Sequence, residues 1–522
     1  MKLDRRGLMM GGLMGSAALA SSGATRAAVS EGHASWGVNI KDFGAKGNGA
    51  AIDTPAINKA IDDVASRGGG VVHFPAGTYA CYTIRLKSNI TLHLDAGAVI
   101  LAAETNGGAG YDDPETGAGN AFQDFGHSHW RNSLIWGDGL HDIAITGSGL
   151  IWGKGLSRGH RFADDPPDIS GPGVGNKAIA LKNCRNVLLR DFRVLQGGWF
   201  ALLATGVDNM TIDNLIVDTN RDGFDIDCCR NVRVTNCSIN SPWDDGICPK
   251  SSFALGYARA TENLTISDCY LTGNYEMGSV IDGTWKPMPL GFKGFGRIKC
   301  GTESNGGFKN IAITNCVFDN CFGIALETVD GALCEDITIS NITMRGLRNS
   351  PLFLRLGRRL RGPANIPVGS LRRVLIQNIV SHDAFAFLPS IIAGVEGHPV
   401  EDVKISDVYL HQGGGGDAAL AGRQPPEAEL GYPDPKMFGD LPATGFFIRH
   451  ARNIEMSNIE VAVEAPDARP AFWLRDVAEA DFFRLRLPKG PSFALDKVTG
   501  FRTFGSRWLE DRRFDETVSQ TF

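Results

Sequence analysis

The sequence predicts an all-β fold, a single-stranded parallel β-helix whose short strands stack coil on coil behind a short N-terminal capping helix. Two observations carry that prediction. A pattern of Asn, an aliphatic alternation, then Asn or Asp recurs as Asn186-Val-Leu-Leu-Arg-Asp, Asn209-Met-Thr-Ile-Asp-Asn, Asn231-Val-Arg-Val-Thr-Asn, Asn263-Leu-Thr-Ile-Ser-Asp and Asn310-Ile-Ala-Ile-Thr-Asn, with weaker copies from Asp142, Asp336, Asp402 and Asn453. The first three starts are 23 and 22 residues apart, and the step from 263 to 310 is 47, read as about two units. Alternation over five or six residues marks half-buried strands, and units this short bury a core only by stacking. The second observation is glycine, 65 of 522 residues, about twice the usual 7%, as expected of a chain that turns several times per coil.

Residues 1–28 read as an export signal. Lys2, Arg5 and Arg6 open it, an apolar Gly/Ala-rich stretch follows, and small residues run through Ala27-Ala28, the order of a cleaved leader. Arg5-Arg6 followed by Gly7-Leu8-Met9 resembles a bacterial twin-arginine signal. A periplasmic or secreted protein is therefore expected. From 37 to 510 the chain reads as one β-helix domain. Thr54 suits a helix N-cap and Pro55 the first helical position. Ile57, Ile61 and Val64 share one face up to Ala65, and Gly68-Gly69-Gly70 ends the stretch. Such a helix would cover the open end of the stack. Coils begin at Val71.

Two stretches, near 103–130 and 412–441, are too long for ordinary turns and read as candidate walls of a binding groove. The eleven cysteines all lie between Cys81 and Cys334. Cys237, Cys269 and Cys316 share one repeat position, and so read as a buried column of small hydrophobes, with disulfides as the alternative that export permits.

Net charge is -6, against the basic surplus of a nucleic-acid binder. No apolar run after the N-terminus reaches the roughly 20 residues of a membrane span. Neither a nucleic-acid partner nor membrane insertion of the mature chain is expected. A dinucleotide fingerprint and zinc-ligand spacing are both lacking, so no cofactor and no metal are expected.

The chemistry concentrates in two neighbouring turns. Asn220-Arg221-Asp222-Gly223-Phe224-Asp225-Ile226-Asp227 carries three carboxylates, and Trp243-Asp244-Asp245-Gly246 follows one coil later. Equivalent positions on adjacent coils lie about 4.8 Å apart, so Asp222, Asp244 and Asp245 should converge. Clustered carboxylates split their pKa values, one keeping a proton while another stays ionised, which suits glycosidic hydrolysis. Calcium binding is the competing use of such a cluster. Further on, Arg297 and Lys299 flank Ile298 and point outward together if Ile298 points inward. They are candidates to grip an anionic sugar.

At these residues the sequence resembles glycoside hydrolase family 28, the polygalacturonases, whose motifs run Asn-Thr-Asp, Asp-Asp, Gly-His-Gly and Arg-Ile-Lys. Here they read Asn220-Arg221-Asp222, Asp244-Asp245 and an intact Arg297-Ile298-Lys299. Asp42-Phe43-Gly44-Ala45 and Phe74-Pro75-Ala76-Gly77-Thr78-Tyr79 also look like this superfamily. The resemblance implies a right-handed, pectin-lyase-like solenoid and inverting hydrolysis of α-linked galacturonic acid in pectic polysaccharide. It implies Asp244 as general acid, Asp222 and Asp245 as activators of water, and Arg297 and Lys299 on a substrate carboxylate. Asp225 joins them as a substrate-binding candidate. The Gly-His-Gly histidine is missing: its place reads Asn274-Tyr275-Glu276-Met277-Gly278. Tyr275 and Glu276 are candidates for part of its role, and Glu303 is a candidate to reach the site. The alternatives are a calcium-dependent β-helix lyase and a non-catalytic carbohydrate-binding solenoid.

Overall fold

The computed structural model describes residues 37–105, 110–116, 121–158, 171–289, 291–292, 294–384 and 388–522. The export segment 1–28 and parts of the 103–130 insertion lie outside the described residues. The rest is a parallel β-helix, as the repeat predicts. One column of register partners shows the stacking: Ile143, Val187, Met210, Val232, Leu264, Ile311, Ile337, Val374, Val403 and Ile454 each pair with the next along the stack. All are buried, since alternate residues of every strand point into one continuous core.

The asparagines that mark the repeat explain its persistence. Asn186, Asn209, Asn231, Asn263 and Asn310 sit at φ 53–57°, a left-handed bend that Asn tolerates better than most residues. Their side chains form a ladder up the stack. Asn209 donates to Asn186 at 3.1 Å, Asn231 to Asn209 at 3.1 Å, Asn263 to Asn231 at 3.0 Å and Asn310 to Asn263 at 2.8 Å. The last rung corrects the reading of 47 residues as two units. Thr261–Ser267 pairs directly with Phe308–Thr314, so one coil carries an insertion between them.

The capping helix runs Thr54–Ser66 and buries Ile57, Ala60, Ile61 and Val64. Asp53, not Thr54, is its N-cap. Asp53 accepts from the Lys46 and Gly47 amides at 2.7 and 3.0 Å, while the Thr54 hydroxyl is taken by the Tyr82 amide. The two side chains tie the helix to its neighbours instead of capping it. At the other end the sheet continues past 510: Arg512–Thr521 pairs antiparallel with Phe493–Phe504. All eleven cysteines are buried and free, with Cys237, Cys269 and Cys316 on successive coils.

Candidate active site

The site lies on the outer face of the sheet that stacks Lys177–Lys182, Phe200–Thr205, Asp222–Asp227 and Ile247–Lys250. Phe224 and Ile226 enter the core, so alternation turns Asp225 and Asp227 outward. The Gly223 amide donates to the Asp245 carbonyl and the Phe224 amide to Gly246, both at 3.0 Å. A Cβ on Gly223 would sit 2.3 Å from the Gly246 carbonyl oxygen. Only glycine lets the two turns close, and that closure sets Asp222 beside Asp245, with carboxylate oxygens within 4.8 Å.

Two buried carboxylates hold different states for different reasons. Asp222 is 4% exposed, and burial, then the charges of Asp244 and Asp225, push its carboxyl well above the ordinary range. Burial alone would also lift Asp245, but Lys299 and Arg297 overcome it and hold Asp245 well below that range. Arg297 Nε reaches Asp245 Oδ1 at 2.7 Å, and Lys299 Nζ pairs with the other oxygen. The cations read as a substrate grip are thus turned on Asp245, the nearest anion in a site of low dielectric. Asp244 is paired with Arg221 at 3.1 Å, and that guanidinium rests 4.2 Å above the Trp199 ring. Asp222, pushed toward keeping its proton, thus stands beside Asp245, pushed toward losing it.

Of the remaining candidates, Asp225 is fully buried, and burial pushes it up to about 8. Glu303 does reach the site. Its carboxylate pairs with Lys250 Nζ at 3.1 Å, and Lys250 overcomes the effect of burial to hold it well below the usual range. Tyr275 and Glu276 are not brought to the carboxylates. The Tyr275 hydroxyl donates to Asp319 at 3.2 Å, and Glu276 is exposed, because the 274–296 insertion leaves the coil before its outer face.

Residues of both insertions pack beside the site. From the first, Trp130 packs on Ala180, Phe200 and Leu203 and donates to Thr205 at 3.0 Å. It also delivers His127, whose Nε2 lies 3.2 Å from Asp225 Oδ2. A histidine therefore does stand at the site, from a segment that no repeat position marks. From the second, Phe438 and Leu441 cover Phe353, Ile391 and Phe447. Arg355 and Arg449 donate to backbone carbonyls between Pro425 and Ala428, and the Tyr432 hydroxyl accepts from Thr302 at 3.1 Å. Arg358 pairs with Glu429 and Arg361 with Asp124, so one loop joins the two walls along the rim.

Sequence reasoning missed Lys250 and Glu327. Alternation marks both, since each stands two residues beyond an outward position, Cys248 and Ala325. Glu327 is fully buried with neither oxygen hydrogen-bonded, and burial pushes it up to about 7. His127, Asp222 and Asp225 are close enough together to hold a metal ion. The ionised carboxylates around them are already matched by Arg297, Lys299, Arg221 and Lys250.

Two neighbouring carboxylates pushed in opposite directions on the outer face of a β-helix suit acid/base chemistry on sugar chains. Comparison with known proteins narrows it. Residues 37–132 match the family described as rhamnogalacturonase A/epimerase, pectate lyase-like, and 135–286 and 177–354 match the right-handed β-helix region. A probable polygalacturonase of Vitis vinifera is 25% identical over 72% of this chain and 74% of its own. An exo-poly-alpha-D-galacturonosidase of Dickeya chrysanthemi is 29% identical over 33% of this chain, which spans 28% of that relative. The family 28 exopolygalacturonase of Yersinia enterocolitica superposes with a TM-score of 0.63 at 20% identity, over 87% of this chain and 78% of that one. A hyperthermoactive exopolygalacturonase of Thermotoga maritima gives 0.53 at 17% identity, over 93% and 95%. These likenesses support a polygalacturonase-like glycoside hydrolase, and the solenoid is a right-handed β-helix.

Proposed function

We propose that this glycoside hydrolase removes α-linked galacturonic acid from the ends of pectic chains by inversion. The observation that carries the proposal is the proton-holding Asp222 beside the ionised Asp245, on a floor flanked by two walls. Asp245, kept ionised by Arg297 and Lys299, is the base that draws a proton from water. Asp222, whose carboxyl is pushed up by burial and by the neighbouring Asp244, supplies the acid proton, which reaches the glycosidic oxygen by way of Asp244, the residue that the family resemblance assigns as acid. Arg221, held on Trp199, keeps Asp244 in place until then. Lys299, Arg297 and the Thr302–Tyr432 pair form the cationic, hydroxyl-bearing corner suited to a substrate carboxylate.

Chain-end action is supported by the walls. Between the Trp130 and Phe438 packings the floor runs from Asp222–Asp227 to Ile324–Thr328, three coil steps or about 14 Å at the strand spacing. That length suits a chain end of a few sugars. Export is part of the same proposal and rests on Arg5-Arg6.

The test is to express the full chain, recover it from the periplasmic and culture fractions, and supply homogalacturonan and rhamnogalacturonan oligosaccharides. Masses and anomeric configuration of the products are then read. Monosaccharide released with inverted configuration by the exported fraction is expected. Products with retained configuration, internal cleavage from the first turnover, or unsaturated uronides lost on chelation would each overturn the corresponding part. Activity confined to the cytosol would overturn export.

A further inference from the structure

The described surface of the site contains a buried histidine–carboxyl pair that this chemistry does not use. His127 is 6% exposed and Asp225 is fully buried. Neither ring nitrogen of His127 and neither oxygen of Asp225 has a hydrogen-bond partner. Lys250 Nζ stands further off, 4.0 Å from Asp225. Unpaired, both groups would be costly to bury. The imidazole Nε2 lies 3.2 Å from Asp225 Oδ2, within reach of a shared proton that joins the two groups and leaves the pair without net charge.

The pair is built, not incidental. The His127 ring packs edge-on against Phe200 at 4.8 Å. The turn around it is fixed by the Phe125–His129 ring stack at 3.9 Å and by Glu115, whose carboxylate accepts from the Trp130 amide at 3.0 Å. On its far side the pair borders Asp222: ligand atoms of His127, Asp222 and Asp225 all lie within 4.8 Å of one another.

We propose that His127 is a positioning residue of the hydrolytic site, acting through Asp225: it holds that carboxyl in place without adding charge, and Asp225 in turn fixes Asp222. The proposal rests on the hydrolytic reading above. His127 reaches the reacting atoms only through Asp225, so its loss acts on turnover and not on sugar affinity. Left without its partner, Asp225 turns toward Lys250 or Asp222, and the acid is misplaced. A misplacement of about 1 Å costs about a hundredfold in rate.

The test uses the full chain and a short galacturonate oligosaccharide, with kcat and KM measured for His127→Phe, His127→Gln and Asp245→Asn. Phenylalanine keeps the ring packing against Phe200 but carries no donor; glutamine keeps a donor. His127→Phe is expected to lower kcat about a hundredfold with KM nearly unchanged, and His127→Gln to recover most of the loss. Wild-type kcat in His127→Phe, or a glutamine variant no better than phenylalanine, overturns the role. Should His127→Phe fail to fold, the wild-type His127 ring resonances decide. A strongly downfield, slowly exchanging ring proton is expected, and a freely exchanging imidazole overturns the pair. If Asp245→Asn keeps full activity, the hydrolytic reading itself falls; if Asp245→Asn is inactive while His127→Phe is not, only the positioning role falls.

Discussion

The same coils present two faces built by different rules. On the ladder face, Asn209, Asn231 and Asn263 repeat one bend and one hydrogen bond per coil, and a change at one rung meets an equivalent neighbour above and below. On the groove face no two coils are alike: Asp225, Cys248, Lys299, Ala325 and Phe353 are successive register neighbours. Repetition supplies stability there only beneath the surface, and the outward positions are free to carry chemistry. The price is burial of charge, which the site offsets by pairing each ionised carboxylate with a cation and by leaving Asp222, Asp225 and Glu327 able to hold protons.

Three changes would break or sharpen that contrast. The largest effect belongs to Asp245→Asn, which removes the ionised base and leaves Arg297 and Lys299 facing a neutral amide. Turnover should fall by at least about a thousandfold, the upper part of the range for general acid–base groups, while circular dichroism remains that of the wild type. A loss of tenfold or less in steady-state assays would refute its role as base.

An intermediate effect, on stability, is expected for Asp225→Asn. The folded protein keeps the Asp225 proton to about pH 8, whereas an unfolded chain releases it near pH 4. The unfolded state therefore binds fewer protons between about pH 4 and 8, and the wild type loses stability as pH rises through that window. Asparagine does not titrate, so the variant should gain melting temperature relative to wild type progressively from pH 4 to 8 and be level with it at pH 4. A difference that is constant with pH would contradict the assignment of the proton to Asp225.

The smallest effect belongs to the ladder. Asn231→Ala removes two rungs and places alanine at φ 57°, costing about 1–3 kcal/mol by denaturant melts, with kcat unchanged. An equal loss of activity would show that the ladder face transmits strain to the groove, and the contrast would fail.

What was legible in the sequence follows the same division. The repeat announced the coil, the core column and the stacked cysteines, because each depends on a position recurring in register. Asp222 and Asp245 were legible because their turns lie one coil apart and glycine at 223 and 246 lets those turns close. The 47-residue step was misread because an insertion inside one coil has the same length as a second coil. His127 was invisible for a related reason: its position is set by the path of an insertion and not by the repeat, and only the fold brings residue 127 against residue 225. Arg297 and Lys299 were found, but the partner that holds them, Asp245, depends on which anion lies nearest once water is excluded.

The antiparallel strand at the C-terminus has a consequence outside catalysis. A parallel coil whose last edge is bare presents a row of free amides and carbonyls that the first coil of another molecule can extend, head to tail and without closure. Arg512–Thr521 runs the wrong way to be continued by such a coil, and the helix Thr54–Ser66 packs at the other end. End-to-end addition of a parallel coil at this edge is thus opposed by the strand Arg512–Thr521, which bears on whether the solenoid stays a separate particle at high concentration more than on what it cleaves.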